Sequence, residues 1–317
     1  AMDDLPSYLD REGFAKYFSV ERHGSDSLTA YLLAIAHEAG WRVPGTPLER
    51  MKTALRNFAT GRAARDGPFP AADLTVRKVA ALDALSRHEN IEPNWLDSIE
   101  AAPNLWPTSA VIDWHGLMKR GVNLKDRDRH FAQAEQILRS RLNFQGTTLG
   151  FSTERQDYLW WLMVSGDVNA NRVLLALLEE DAWREDLPRM TRGALGRQQF
   201  GHWNTTVANA WGVLAMEKFS AKFESAAVTG LTQGRLEEQL VTHDWSKNAV
   251  GGAMEFRWPV AAASLALQQS GSGMPWALRS SARRWRSRDR PFFGLGWTAT
   301  CPSVLTRKYP WPQPIML

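Results

Sequence analysis

Apolar positions recur three and four residues apart along most of the chain up to Phe219, and each such run is punctuated at its ends. Ser27 is placed to cap a helix carrying Leu28, Tyr31, Leu32 and Ile35, and Gly40 to close it in a left-handed conformation. Pro47 suits the first turn of a second helix with Leu48, Met51, Leu55 and Phe58, which stops at Gly61. The short connection between them predicts an antiparallel hairpin. After a looser Gly- and Pro-bearing segment at 62–72, Asp73 caps a third helix through Val76, Val79, Leu82 and Leu85. Residues 89–107, rich in Pro, Asn and Trp, predict one short helix around Trp95 between loops. Ser109 starts a helix through Val111, Ile112 and Leu117 that Gly121 ends, and Phe131, Ile137, Leu138 and Leu142 mark its partner. Thr153 begins the run YLWWLM, and Asn169 or Asn171 begins VLLALL. No alternating, strand-like run interrupts the series, so helices are expected in consecutive pairs.

The pattern centres on residues 195–219, LGRQQFGHWNTTVANAWGVLAMEKF, a turn followed by a helix. Gly201, His202 and Trp203 form the approach, Asn204 or Thr205 is the cap, and Val207, Trp211, Leu214 and Ala215 recur at helical spacing. Ala210, Val213 and Met216 widen the apolar arc, so this helix is expected to be covered on more than one side, as between two shells. No fixed repeat period recurs, which argues against a regular solenoid. The broad arcs favour a mainly α protein built as a closed ring of inner and outer helices, an α/α toroid of consecutive hairpins over residues 1–223.

After Phe223 the grammar changes. Residues 226–232, 249–260 and 262–268 are short apolar runs broken by Gly and Thr, as strands are. A partial β-sandwich-like domain is expected over 224–276, since a full sandwich needs about 100 residues to close. Residues 277–317 carry clustered Arg, then Pro and Trp, without a period. They read as a basic tail, either the poorly ordered end of a frame-shifted or truncated gene or a real tail that meets an acidic surface.

Charge changes the picture only there. The net charge of +4 and the pI near 9.3 suggest nucleic acid, yet residues 277–317 hold eight Lys and Arg against Asp289 alone. The rest of the chain, with 30 basic and 33 acidic residues, is slightly acidic and is not a phosphate-binding surface. No apolar run is long enough for a transmembrane helix, and the polar, acidic N-terminus does not read as a signal peptide. The single cysteine, Cys301, excludes an internal disulfide framework and a cysteine-based metal cluster.

The sequence from Arg197-Gln198 through Gly201-x-Trp203 and Thr205-Thr206 into the helix of Ala208, Ala210, Trp211, Leu214 and Ala215 resembles the last helical hairpin of the thioester domain of alpha-2-macroglobulin and complement-type proteins. Residues 24–40, GSDSLTAYLLAIAHEAG, resemble an earlier helix of that domain, and GFAKYF at 13–18 its glycine-aromatic lead-in. GSGMPW at 271–276 resembles a short signature of the β-domain that follows it in the bacterial members. The resemblance implies an α/α toroid and a part in a cell-envelope or periplasmic inhibitor that captures proteases, its partners, after a bait segment is cut. It implies no nucleic-acid partner and no small-molecule cofactor. Any membrane attachment would come from an anchor elsewhere in the parent protein.

The family's reactive device is an internal thioester in a Cys-x-Glu-Gln run. Cys301 is followed by Pro302, Ser303 and Val304, so this chain holds no thioester, and the parent either carries the motif upstream or lacks it. His115 and His88, each near a helix end, are the candidates for a residue that would assist acyl transfer; helix-terminus or surface histidine is the plainer reading of both, and His202 reads as a turn residue. No catalytic residue, cofactor ligand or metal ligand is assigned, and the chain is not expected to be an enzyme. The alternative is a stand-alone toroid enzyme acting on polysaccharide or terpenoid. Residues 198–203 only approximate the Gln-Trp repeat of triterpene cyclases, Asp126 and Asp128 read as a charged helix start, and Glu179, Glu180, Asp181, Glu185 and Asp186 read as a solvated turn. A polar cleft with two carboxylates about 5–10 Å apart would favour an enzyme, and salt-sensitive binding to anionic lipid or nucleic acid would favour a third reading, a basic-tail adaptor. Of the 15 Trp, Trp160, Trp161, Trp203 and Trp211 are expected to fill gaps between helical layers rather than to form a sugar platform.

Overall fold

The computed structural model describes residues 2–65, 72–151, 159–257, 259, 261–273, 275–282 and 292–298. The chain divides into two compact units, Ala1–Ala215 and Met216–Leu317.

The first unit is helical, apart from one hairpin among its described residues. Its helices are α1 (Asp26–Glu38), α2 (Gly45–Ala59), α3 (Leu74–Leu85), α4 (Thr108–Arg120), α5 (Arg127–Arg141), α6 (Gly166–Leu177) and α7 (Leu187–Gly196); α8 (Thr206–Phe223) begins in this unit. The punctuation works as the residue types dictate, with local shifts. Gly40 and Gly61 adopt φ of 65° and 77° just past α1 and α2, a conformation that only glycine takes without a Cβ clash. The cap of α1 is Ser25, whose side chain accepts from Leu28 N at 3.2 Å, rather than Ser27, which lies inside the first turn. Thr205 Oγ1 caps α8 through Ala208 N at 3.1 Å. Neither Asn169 nor Asn171 starts α6: Ser165 does, and both asparagines are buried within the helix.

Two expectations fail between α5 and α6. The first is the absence of strands, because β1 (Leu142–Gln145) and β2 (Thr148–Phe151) form an antiparallel hairpin. Gly146, at φ 61°, opens its two-residue loop, the position where such turns require glycine, and Leu149 and Phe151 alternate inward. The second is the helix from YLWWLM. Thr153 lies outside the described residues, Trp160–Leu162 make only a 3-10 turn, and Met163 ends it at φ 59°.

Packing gives two rows of helices. α1 packs on α3, α3 on α4 and α4 on α6, while α2 leans on α1 and α3, α5 on α4, and α7 on α6. α4 sits at the centre, covered by α3, α5 and α6, and residues 108–118 are all buried. α2 shows the opposite case: Met51, Leu55 and Phe58 are 0–1 % exposed on one face while the other stays wet. α8 is only partly enclosed, because Trp211 is buried but Val213 is 60 % exposed.

The second unit is antiparallel β. β3 (Leu231–Leu236), β4 (Gln239–Asp244) and β6 (Leu265–Ser270) form one sheet in the order β4-β3-β6. β5 (Ala253–Arg257), β7 (Trp276–Ala282) and β8 (Phe292–Thr298) form another in the order β5-β8-β7. Strand backbone thus runs into the stretch read as a tail. Leu236, Trp245, Met254 and Phe256 make the core, and Trp245 Nε1 donates to the buried Thr232 Oγ1 at 2.7 Å. Sequence pattern does not announce β4, because the β3–β4 turn is Glu237-Glu238, with Glu237 at φ 52°, instead of the Gly or Asn such turns favour.

Gly193 on α7 marks the tightest approach to the hairpin, since a Cβ there would stand 2.3 Å from the Leu149 carbonyl oxygen, whereas nothing lies within 4 Å of a Cβ on Gly196. Gly193→Ala should therefore lower stability by about 1–3 kcal/mol, and Gly196→Ala, in the same helix, should leave it unchanged or raise it by up to about 1 kcal/mol. Urea unfolding followed by circular dichroism distinguishes the two.

Candidate functional site

The N-terminal ends of α1, α3, α6 and α8 border one cavity of about 460 Å³. Its walls include Tyr17, Asp26, Asp73, Arg77, Trp160, Trp161, Met163 and Val207. The approach loop is held by Asp10, whose Oδ1 accepts from the backbone N–H of Glu12, Gly13 and Phe14 at 2.9–3.0 Å. Asp10 Oδ2 accepts from Gly24 N at 2.8 Å. One carboxylate thereby fixes both ends of the loop that presents Tyr17. Arg77 meets Asp26 through two hydrogen bonds of 2.9 and 2.6 Å, both side chains being buried. Asp73, the residue before α3, makes no capping bond to its own helix; its Oδ2 accepts from Trp161 Nε1 at 2.6 Å. Burial keeps the Tyr17 phenol protonated, raising it above its ordinary value.

A second, narrower space of about 70 Å³ shares Ser27, Arg77, Leu162, Met163, Val164 and Val207 with the first and reaches Asp83, Asp113 and Arg172. Here the core carries charge. Asp83 accepts from Arg87 at 2.7 Å and from Arg120, and lies 3.8 Å from Arg172, which also binds Asp113. Glu38 completes the set by pairing with Arg87 at 3.1 Å. Three carboxylates from α1, α3 and α4 thus balance three guanidinium groups, from the turn just after α3, from α4 and from α6. Gly116 makes room, since a Cβ there would stand 2.6 Å from Asp83 Oδ1. Burial pushes the Asp83 carboxyl up, but Arg87, Arg120 and Arg172 together outweigh it and hold it below the usual range. For Asp113 burial wins over Arg172 and raises the carboxyl to about 6.

Asp83 and Asp113 are the two carboxylates that share this space of about 70 Å³, and Arg172 engages both, so neither is the open acid or base a toroid hydrolase would need. Their chemistry here is cohesion of four helices. Replacing Asp83 with Asn would leave buried guanidinium charge unanswered, and Asp83→Asn should cost about 3–5 kcal/mol in urea unfolding.

None of the three histidines singled out from sequence lines either cavity. His115 is wholly buried on α4, lies tilted against Phe131 at 4.5 Å between ring centroids, and has no hydrogen-bond partner among the described residues at either ring nitrogen. Burial pushes its imidazole down to about 4, so it is neutral at pH 7. His88 Nε2 lies 3.1 Å from the Leu33 carbonyl, and His202 Nδ1 lies 2.9 Å from the Trp203 carbonyl in the turn where Phe200 and Gly201 have positive φ. Of the acids at 179–186, Glu180 pairs with Lys119 at 2.6 Å and Asp186 with Arg139 at 3.2 Å. Asp126 and Asp128 flank the start of α5 and pair with Arg129 and Arg127. Cys301 lies outside the described residues. Trp203 and Trp211 are buried as expected, but Trp160 is 67 % exposed and does not fill a gap between layers. Asp83, Asp113, Arg172, Asp73 and Arg77 were not singled out as site residues from sequence; the available signal was a charge set within an apolar run, as in Leu82-Asp83-Ala84 and Ile112-Asp113-Trp114.

No family model and no curated protein matches the sequence. Solved structures do. The crystal structure of trypsin-activated alpha-2-macroglobulin from Escherichia coli aligns over 95% of this chain with a TM-score of 0.53 and 14% identity, using 18% of that chain. The native conformation of the E. coli protein, from electron cryo-microscopy, aligns over 98% with a TM-score of 0.55 and 15% identity, using 17% of that chain. The kinship is one of fold. The chain spans less than a fifth of the alpha-2-macroglobulin structures it matches. Among the described residues no helix is long and apolar enough to cross a membrane.

The neutral, unpartnered His115 makes stability depend on pH. Above the unfolded value of 6.5 neither state carries the proton; as pH falls towards 4 the unfolded chain takes it and the native chain does not, so stability is lost on acidification, by about 3 kcal/mol in all. Asp113 acts in the opposite sense between its ordinary value and about 6, and is common to both proteins in the comparison. Stability measured at pH 7 and at pH 4.5 should therefore fall less for His115→Met than for the unchanged chain.

Proposed function

We propose that this chain is part of a bacterial alpha-2-macroglobulin-like protease-trapping inhibitor of the cell envelope. In this reading residues 1–223 are an α/α toroid of the thioester-domain type, and the β-domain that follows starts at 224 and continues into the basic stretch after 276. The observation that carries the proposal is that one fold match spans both the helical unit and the β unit in the same chain order. The two rows of helices support the toroid: α1, α3, α4, α6 and α8 all line the connected cavities, and α2, α5 and α7 contribute no lining residue. The closed Asp83–Arg172–Asp113 cluster weighs against the polysaccharide or terpenoid enzyme, which would need open carboxylates.

The chain's own cysteine is outside any Cys-x-Glu-Gln run, so inhibition is assigned to the parent protein and not to this piece. Incubated with trypsin, the isolated chain should leave hydrolysis of both casein and a small chromogenic peptide unchanged. The full product of the gene, treated the same way, should protect casein while the small peptide is still cut, because an enclosed protease excludes only large substrates. Stoichiometric inhibition by the isolated chain, or unprotected casein with the full product, would overturn the proposal.

A further inference from the structure

The cavity at the ends of α1, α3, α6 and α8 has a composition that the inhibitor reading does not use. Its mouth is aromatic. The rings of Trp160 and Trp161 stand 5.9 Å apart at 89°, forming a corner, and Tyr17, half-exposed, lines the same space. Trp160 is 67 % exposed, with its ring against that of Trp161.

The charge in the cavity is one-sided. Arg77 pairs with Asp26 through Nε and Nη2, so the two charges cancel, while Arg77 Nη1 is buried with no hydrogen-bond partner among the described residues. Asp73 remains: no cation pairs with it among the described residues, and its carboxylate receives the Trp161 indole N–H. This aspartate stands at the N-cap position of α3 yet gives no capping bond, forgoing about 1 kcal/mol of helix stability. The caps that do bond, Ser25, Ser165 and Thr205, turn their oxygens to the N–H groups of their own helices. Each of those caps answers one backbone N–H of its helix, and among the described lining residues the carboxylate left without an ion pair is that of Asp73.

We propose that this cavity binds an organic cation, an alkylammonium head group held in the Trp160–Trp161 corner with Asp73 as its counter-ion. An aromatic face attracts a cation within about 6 Å of its centroid, most strongly for Trp. A single carboxylate among rings suits a soft, weakly hydrated ammonium, whereas Ca²⁺ or Mg²⁺ requires about six oxygen ligands. One oxygen of that carboxylate already accepts the Trp161 indole N–H, so the pair of free oxygens that a planar guanidinium fork prefers is not offered. The volume of about 460 Å³ takes a small ligand of this class with room for its alkyl body against Met163 and Val207. The inference is independent of protease trapping and is tested by binding alone.

The test titrates the chain with choline and with its neutral isostere, 3,3-dimethylbutan-1-ol, following indole N–H signals by NMR and heat by calorimetry. Choline should bind, shift the Trp161 N–H, and bind at least tenfold more tightly than the isostere. Trp160→Ala and Asp73→Asn should each weaken choline binding about tenfold, and Trp160→Phe should retain most of it. Circular dichroism on the variants shows that each is folded. Equal binding of the neutral isostere, preference for acetate or phosphate, binding of methyl glucoside in place of choline, or no response to choline would each overturn the proposal.

Discussion

The helical unit depends on the answering of buried charge around Asp83. Four helices that would otherwise meet only through apolar faces are tied by a set in which three carboxylates and three guanidinium groups balance. Such a set contributes little net free energy over well-packed apolar residues, because desolvating each ion is expensive. Its force is directional. Each guanidinium presents donors in a fixed plane, so Arg87, Arg120 and Arg172 reach Asp83 only when α3, α4 and α6 stand in one relative arrangement.

From that constraint the rest of the unit follows. α4 is held at the centre and buried along nearly its whole length, which is why it accommodates Trp114 and a neutral His115 with no polar partner. The outer helices α2, α5 and α7 pack on this row with one apolar face each, and the β1–β2 hairpin closes on α7 where Gly193 lets the Leu149 carbonyl approach. The cavities that remain lie on the row's other side. Their narrow part is filled with the ion cluster and their wide part is walled by rings, so the same helices supply a rigid floor and an open mouth.

The fold match to the E. coli alpha-2-macroglobulin structures holds at 14–15% identity, so what the chains share is a fold and not most of their residues. A fold is specified by apolar volume and patterning more than by particular residue pairs. The β unit makes the same point: a core of Leu236, Trp245, Met254 and Phe256 closes two short sheets although one hairpin turn is Glu237-Glu238.

What the sequence by itself determined is local. The 3.6-residue spacing placed α1 to α4 and α8, and Gly40, Gly61 and Thr205 set boundaries because glycine and small hydroxyl side chains act on their own backbone neighbourhood. The change from helix to strand after Phe223 was legible for the same reason. It did not reveal the β1–β2 hairpin, whose four-residue strands are too short for a period to register, nor that Trp160 faces solvent. Only the tertiary structure decided which charges meet and which rings gather. Asp73 and Trp161 are 88 residues apart, and Asp113 and Arg172 are 59 apart. Periodicity tells which face of a helix is buried, but the partner across that face is chosen by the packing of helices distant in sequence, and that choice is where the site resides.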